Sequence, residues 1–338
     1  MSRSIYTDLA LEMAESLQGK DCSTGIDGVL VEVNNDHLDI KVTTVKITNE
    51  KGAKAMGKPI GSYITIESPE IKSNNITVHE DIIQILTNTL AKLTAGANDN
   101  VLNRANDNVL VVGLGNQSVT PDALGPKVVG KVLVTRHIME GLPKELEGKL
   151  RPIAAIAPGV MGTTGIETAE AVRGLIGHVK PSMVIAIDAL AARNISRINQ
   201  TIQIADTGIN PGSGVGNKRM GLNQESLGVP VIAIGVPTVV DAATFVNDTM
   251  DMFLAEMAQD MPQELEDKAA FYKMLNALDE RDKHTIIRNT IDPLVGNMFV
   301  TPKEIGQVVA WLSNIIANAI NLAMHKGIDK DDINRFMY

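Results

Sequence analysis

Residues 108–126 read Asn-Val-Leu-Val-Val-Gly-Leu-Gly-Asn-Gln-Ser-Val-Thr-Pro-Asp-Ala-Leu-Gly-Pro. An uninterrupted apolar run, Val109–Val112, meets a glycine-rich turn and then a helix-start signal. A run without polar alternation is what a strand buried on both faces requires. Thr120 is a natural N-cap and Pro121 a natural first helical residue, so Asp122 is expected in the first turn of a helix. The grammar then repeats. Ile153–Ala157, Met183–Ile187 and Val231–Val236 are further short β-branched runs, with helices predicted from near Pro121, Thr164 and Asp241. Buried strands alternating with helices predict an α/β fold built on a mostly parallel, doubly wound sheet.

Upstream the pattern differs. Leu9, Met13, Ser16 and Leu17 suggest a first helix; Val29–Val33 and Leu38–Ile47 read as a hairpin about Asn34-Asn35-Asp36, and Gly61–Ser68 as a third strand. Ile82, Leu86, Leu90 and Leu93 mark one face of a helix over about 77–95. The sequence Ala-Asn-Asp-Asn-Val-Leu at 97–102 recurs at 105–110, too short a unit to stack as a solenoid and therefore a duplicated loop. From about Phe245 the chain is predominantly helical, ending with 302–326. The expected organisation is a β-rich part at about 28–68 and a helical part at about 245–338, both belonging to one α/β domain.

The 338 residues carry a formal charge of -9, with 44% hydrophobic and only 3% aromatic side chains. The negative balance opposes a sequence-independent grip on phosphate backbones, and few rings leave few platforms for stacking bases. Direct nucleic-acid binding is not expected. A single cysteine, Cys22, permits no intrachain disulfide and suits a reducing interior. Val308–Met324 is uncharged but holds Ser313, Asn314, Asn318 and Asn321, which would be expensive in lipid; it reads as a core helix, and the chain as cytoplasmic.

Several chemistries fail on the letters. His79-Glu80 lacks the second histidine of a zinc-protease helix, Gly212–Arg219 lacks the Gly-Lys-Ser/Thr ending of a phosphate loop, and Gly113-Leu114-Gly115-Asn116 lacks the third glycine of a dinucleotide fingerprint. There is no Gly-x-Ser-x-Gly elbow. What remains is a pair of aspartates. Asp188 closes the run Met183–Ile187, and loops leaving strand carboxyl ends converge on one crevice, so Asp122 and Asp188 can meet there. A helix start is expected to lower the pKa of Asp122, and burial or its partner's charge to raise that of Asp188, giving one base and one acid for direct peptide hydrolysis. The bland alternative is a helix-start residue and a capped strand end. Asp241, beyond Val231–Val236, is either a third acidic group or an N-cap. Arg193 is a candidate for orienting a carboxylate or recognising an acidic substrate residue. Gly212–Gly216 is either a source of oxyanion-stabilising N–H groups or a surface turn.

The blocks Gly113–Asn116, Thr120–Pro126, Ile187–Ala191, Asp206–Ile209 and Pro211–Asn217 resemble the germination proteases of endospore-forming bacteria, and the Gly-Leu-Gly-Asn loop is also similar to hydrogenase maturation endopeptidases. The first resemblance implies an endopeptidase acting on the small acid-soluble proteins that coat spore DNA. It further implies a self-processing zymogen, a homotetramer, location in the spore core, and catalytic roles for Asp122 and Asp188. That family cuts after an acidic residue in a Thr/Ser-Glu-apolar-Ala-x-Glu context, and Thr7-Asp8-Leu9-Ala10-Leu11-Glu12 matches it. Cleavage between Asp8 and Leu9 is therefore expected, with residues 1–8 as the pro-segment. The alternatives are a maturation endopeptidase using a divalent metal and a non-catalytic binder of basic spore proteins.

Overall fold

A computed structural model describes residues 8–18, 25–37, 39–95, 107–211, 219–259, 280–325, 327–329 and 332. Cys22, most of the duplicated loop, residues 1–7 of the expected pro-segment and the Gly212–Gly216 turn lie outside the described residues. The four buried runs form strands β4 (Val109–Gly113), β5 (Ile153–Ile156), β6 (Met183–Ala192) and β8 (Val231–Asp241). They pair in parallel in the order β8-β6-β4-β5. The helix after β4, α4 (Leu124–Val129), packs on one face of the sheet, and the helix after β5, α6 (Thr168–Val179), on the other. This half is doubly wound, and the chain reverses direction of travel across the sheet between β4 and β6.

The other half departs from expectation. Thr201–Ala205 forms β7, a strand the sequence reading passes over, and runs antiparallel to β8. Beyond it β3 (Gly61–Glu67), β2 (Ile40–Ile47) and β1 (Val29–His37) continue antiparallel, and β9 (Phe299–Val300) pairs with the far end of β8. The sheet is thus mixed, with three parallel and five antiparallel pairings. After β6 the chain turns back through a short 3-10 segment, Ile195–Arg197, with Asn199 at φ 61°, so no crossover helix intervenes and the returning strand must be antiparallel. The N-terminal β-rich part joins β7 and so extends the same sheet.

One face of the sheet is covered by α3 (Ile76–Ala95), α4 and α10 (Ile305–Met324), through side chains such as Ile82, Leu86, Leu312 and Ile316. Among the described residues α10 is the one helix long and apolar enough to cross a membrane, but it is mostly buried in this core. Two of its polar residues anchor neighbours instead of facing solvent. Ser313 accepts from Lys131 Nζ at 2.6 Å, and Asn321 accepts the Leu133 N–H at 2.9 Å and donates to the Lys131 carbonyl. The opposite face carries α6 and α7 (Gln224–Leu227) at one end, and α1 (Ala10–Gln18) with α2 (Glu50–Met56) at the other. Between these two covers runs a strip of sheet that includes Asp188.

Candidate active site

Leu114 donates its N–H to the Ile187 carbonyl at 2.7 Å, carrying the β4–β6 pairing one residue beyond the strand. Gly115, at φ 106°, then turns the chain sharply, and a Cβ there would lie 2.1 Å from the Asp122 carbonyl oxygen. Gly125 allows an equally close approach, since a Cβ on it would lie 2.3 Å from the Leu114 carbonyl oxygen. These two glycines let the segment after the turn fold down onto the end of β4. Asp122 is brought back over the turn and accepts the Asn116 N–H at 2.7 Å through Oδ2.

The expected helix start is corrected in detail. Val119, not Thr120, is the N-cap, Thr120–Asp122 is a single 3-10 turn, and α4 begins only at Leu124 and lasts six residues. So short a helix supplies little dipole, and burial of the carboxyl outweighs the Asn116 hydrogen bond and the charge of Arg219. The Asp122 pKa is raised, where the sequence had suggested a lowered one.

Asp188 is the first residue of β6 beyond its pairing with β4, and it is 5% exposed. Its Oδ1 accepts the N–H of Ala189 at 2.9 Å. Burial, then the charge of Asp122, then that of Asp8 push its pKa well above the usual carboxylate value, opposed by the Ala189 bond and Arg219. The two aspartates thus lie in each other's field at the point where the parallel half reverses direction, where open α/β sheets form their crevices. Burial raises both pKa values, that of Asp188 further because the charges of Asp122 and Asp8 add to it. A neutral carboxyl beside a charged one is an arrangement that can donate one proton while accepting another.

The third carboxylate in this field comes from the N-terminal segment. Asp8 Oδ2 accepts the Ala191 N–H at 3.2 Å, on the same strand as Asp188. The Asp8 carbonyl accepts from Lys58 Nζ at 3.0 Å and from Gln203 Nε2 at 3.1 Å, and Gln203 Oε1 accepts the Ala10 N–H at 2.6 Å. Leu9 and Ala10 are fully buried. Four residues on from Asp8, Glu12 accepts the backbone N–H groups of Arg193 and Asn194 at 3.0 Å and lies 3.7 Å from Arg197, which also holds Glu15 and Glu67.

Arg193 therefore meets an acidic side chain through its backbone N–H. Its guanidinium instead influences Asp248. Asp241 stands directly before the helix Ala242–Gln259, where a helix start was expected, and is not near the pair. β8 continues six residues past Gly235, the residue level with Asp188, which carries Asp241 about 20 Å along the strand to an ion pair with Arg288 at 2.5 Å. Among the described residues no three His, Cys, Asp or Glu side chains converge closely enough to ligate one metal ion. Lys58, Gln203, Arg197 and Arg219 were not anticipated; for Gln203 the signal was an amide at the centre of the alternation Thr-Ile-Gln-Ile-Ala, all of it buried.

An aspartate pair at the reversal point of a doubly wound half-sheet, with the segment leading into α1 seated beside it, suits a peptidase. The comparisons agree: the family model described as Germination protease matches residues 7–264 and 255–337. A Germination protease of Clostridium perfringens is 47% identical over 333 residues, 98% of this chain and 99% of that protein. The Clostridium acetobutylicum protein of the same name is 43% identical, and that of a Geobacillus strain 40% identical, each over 99% of this chain and 99% and 97% of the relative. The chain belongs to the germination protease family and is a peptidase.

Proposed function

We propose that this peptidase acts in spore germination, is made as a zymogen that cuts its own Asp8–Leu9 bond, and then cleaves small acid-soluble spore proteins after acidic residues in the spore core. The observation that carries the reading is the seating of Asp8, whose carboxylate rests on the Ala191 N–H of the strand bearing Asp188 and acts on the Asp188 carboxyl electrostatically. The Glu12 clamp at Arg193, Asn194 and Arg197 supplies a reason for a second acidic requirement four residues beyond the first. In the reaction, charged Asp122 takes a proton from water as its oxygen bonds to the Asp8 carbonyl carbon. Protonated Asp188 then gives its proton to the Leu9 nitrogen as the C–N bond breaks. Assembly as a homotetramer is supported by exposed apolar side chains on α8 (Ala242–Gln259) and α9 (Glu280–Val295), where Met252, Phe253 and Leu294 are 68%, 61% and 80% exposed.

Intact-mass analysis of the full chain after a shift to mildly acid pH tests the proposal. Loss of residues 1–8 is expected in the wild type, with no loss in Asp122→Asn or Asp188→Asn. Processing at another bond, or undiminished processing in both variants, would overturn the assignment.

A further inference from the structure

We propose that Lys58 and Gln203 form the electrophilic cradle of this peptidase, gripping the carbonyl at the bond to be cut and stabilising the negative charge that develops on its oxygen. The inference rests on the reading of Asp8–Leu9 as that bond. Both groups already touch it: the Lys58 ammonium and the Gln203 amide donate to the Asp8 carbonyl oxygen at 3.0 and 3.1 Å, the range in which oxyanion donors act. Gln203 does more than donate. Its Oε1 accepts the Ala10 N–H at 2.6 Å, so one planar amide spans the backbone from the carbonyl before the scissile bond to the N–H after Leu9. The carbonyl before the bond and the N–H after Leu9 are thereby both fixed, with the Leu9 side chain buried at the entry to α1.

The sheet register explains why these donors and the aspartate address the same bond. Asp188 on β6 is level with Gly235 on β8, and Gly235 is level with Gln203 on β7. Residues level with one another across a sheet project to the same face, so Asp188 and Gln203 share a face with one strand between them, their Cα atoms about 10 Å apart. The intervening position is glycine, and a Cβ there would come within 2.4 Å of Leu190, so the missing side chain lets Leu190 pack down between the acid and the amide. Lys58 enters from the loop before β3; burial lowers its pKa, opposed by the charges of Asp8 and Glu12, which favour the ammonium.

Packing alone does not call for this pair. Gln203 is 8% exposed, and a buried amide without partners is costly, so an aliphatic residue would serve the strand better unless the amide had a task. Both of its recorded bonds go to the N-terminal segment. As water adds, the carbonyl oxygen becomes an alkoxide facing the ammonium and the amide N–H. Lys58 keeps its proton throughout, and the proton needed by the departing Leu9 nitrogen comes from Asp188.

The test follows self-processing of the full chain by intact mass, as a first-order rate, in wild type, Lys58→Met, Lys58→Arg and Gln203→Leu. Lys58→Met and Gln203→Leu are each expected to slow cleavage about 10²–10³-fold, as loss of one oxyanion donor does elsewhere. Lys58→Arg, which keeps a charged donor, should recover most of the loss. With a peptide carrying the Asp-Leu-Ala-Leu-Glu sequence, the processed Lys58→Met enzyme should lose kcat at little-changed KM; a role confined to seating the segment would raise KM instead and overturn the assignment. Processing of Lys58→Met and Gln203→Leu within threefold of a wild type cut at Asp8–Leu9 would also overturn it and leave the cleavage site standing. A wild type cut elsewhere would remove the cleavage site and this inference together.

Discussion

Replacing His325 by glutamine is expected to remove a large part of the acid sensitivity of folding. His325 follows α10 and is 1% exposed. Its Nδ1 accepts the Arg151 N–H at 3.2 Å, which requires that nitrogen to be unprotonated, and Nε2–H therefore donates to the Leu133 carbonyl at 3.3 Å. Burial, against the help of the Leu133 bond and together with the charge of Arg151, lowers the ring's pKa from 6.5 to about 4. In the unfolded chain the ring takes up its proton near pH 6.5; in the folded chain it resists until about pH 4. Between these values the unfolded state binds more protons, so stability is fully present above the upper pH and falls as pH drops toward the lower. A shift of this size corresponds to about 3 kcal/mol, a substantial share of the roughly 5–15 kcal/mol that holds a typical domain together. Glutamine can accept the Arg151 N–H and donate to Leu133 without titrating. Urea unfolding of both proteins from pH 7.5 to pH 4 gives the answer in the difference between the two curves, because every carboxylate titrates in both. Parallel curves through that window would refute the reasoning.

Asp188→Asn is expected to act with the opposite sign. The folded pKa of Asp188 lies above its unfolded value, so the folded state gains stability as pH falls through the folded pKa toward 3.8 and loses it as pH rises; the asparagine variant should melt higher than wild type at pH 8 and lose that advantage on acidification, and equal melting at pH 8 would contradict it. Arg197→Met leaves Glu12, Glu15 and Glu67 without their shared cation, and Glu12 is only 4% exposed, so a cost of about 3–5 kcal/mol is expected, with hydrogen exchange rising first across Ala10–Gln18.

The parallel half of the fold was legible because strands buried on both faces must be apolar throughout, and Val109–Val112 and Met183–Ile187 carry that signature without interruption. β7 was not, because Thr201–Ala205 is short and half polar by composition, and what makes it a strand is its place between β8 and β3. Once β7 is missed, the attachment of the N-terminal strands is lost too. At the site, the convergence of Asp122 and Asp188 followed from strand ends, whereas the sign of the Asp122 shift depended on the length of α4 and the depth of the turn, neither of which the residues before it report. For Asp241 the end of an apolar run was taken as the end of a strand, so its distance from the pair was not legible, whereas its place directly before α8 was. Arg193 contributes a backbone N–H, which every non-proline residue owns, so its identity predicted nothing about that contact. Lys58 and Gln203 stand 145 positions apart and meet only through the order β3-β7-β8.

The aspartate pair lies at the reversal point between β4 and β6, one strand from where the antiparallel half begins beyond β8, and this bears on what the site can hold. In nucleotide-binding sheets the reversal point presents glycine-rich backbone N–H groups to phosphate. Here the same location presents Asp122 and Asp188, with Arg219 as the cation acting on both, so a phosphate would meet like charge in a site already unfavourable to carboxylates. A peptide carries no net backbone charge, and its carbonyl and N–H groups match what the antiparallel half offers at Gln203 and Lys58. The acidic side chains of the N-terminal segment, Asp8 and Glu12, are met by the Ala191 N–H on the strand bearing Asp188 and by the Arg193, Asn194 and Arg197 cluster. The parallel half thus carries the aspartate pair and the antiparallel half the contacts to the N-terminal segment, and β8, paired in parallel on one side and antiparallel on the other, sets their spacing.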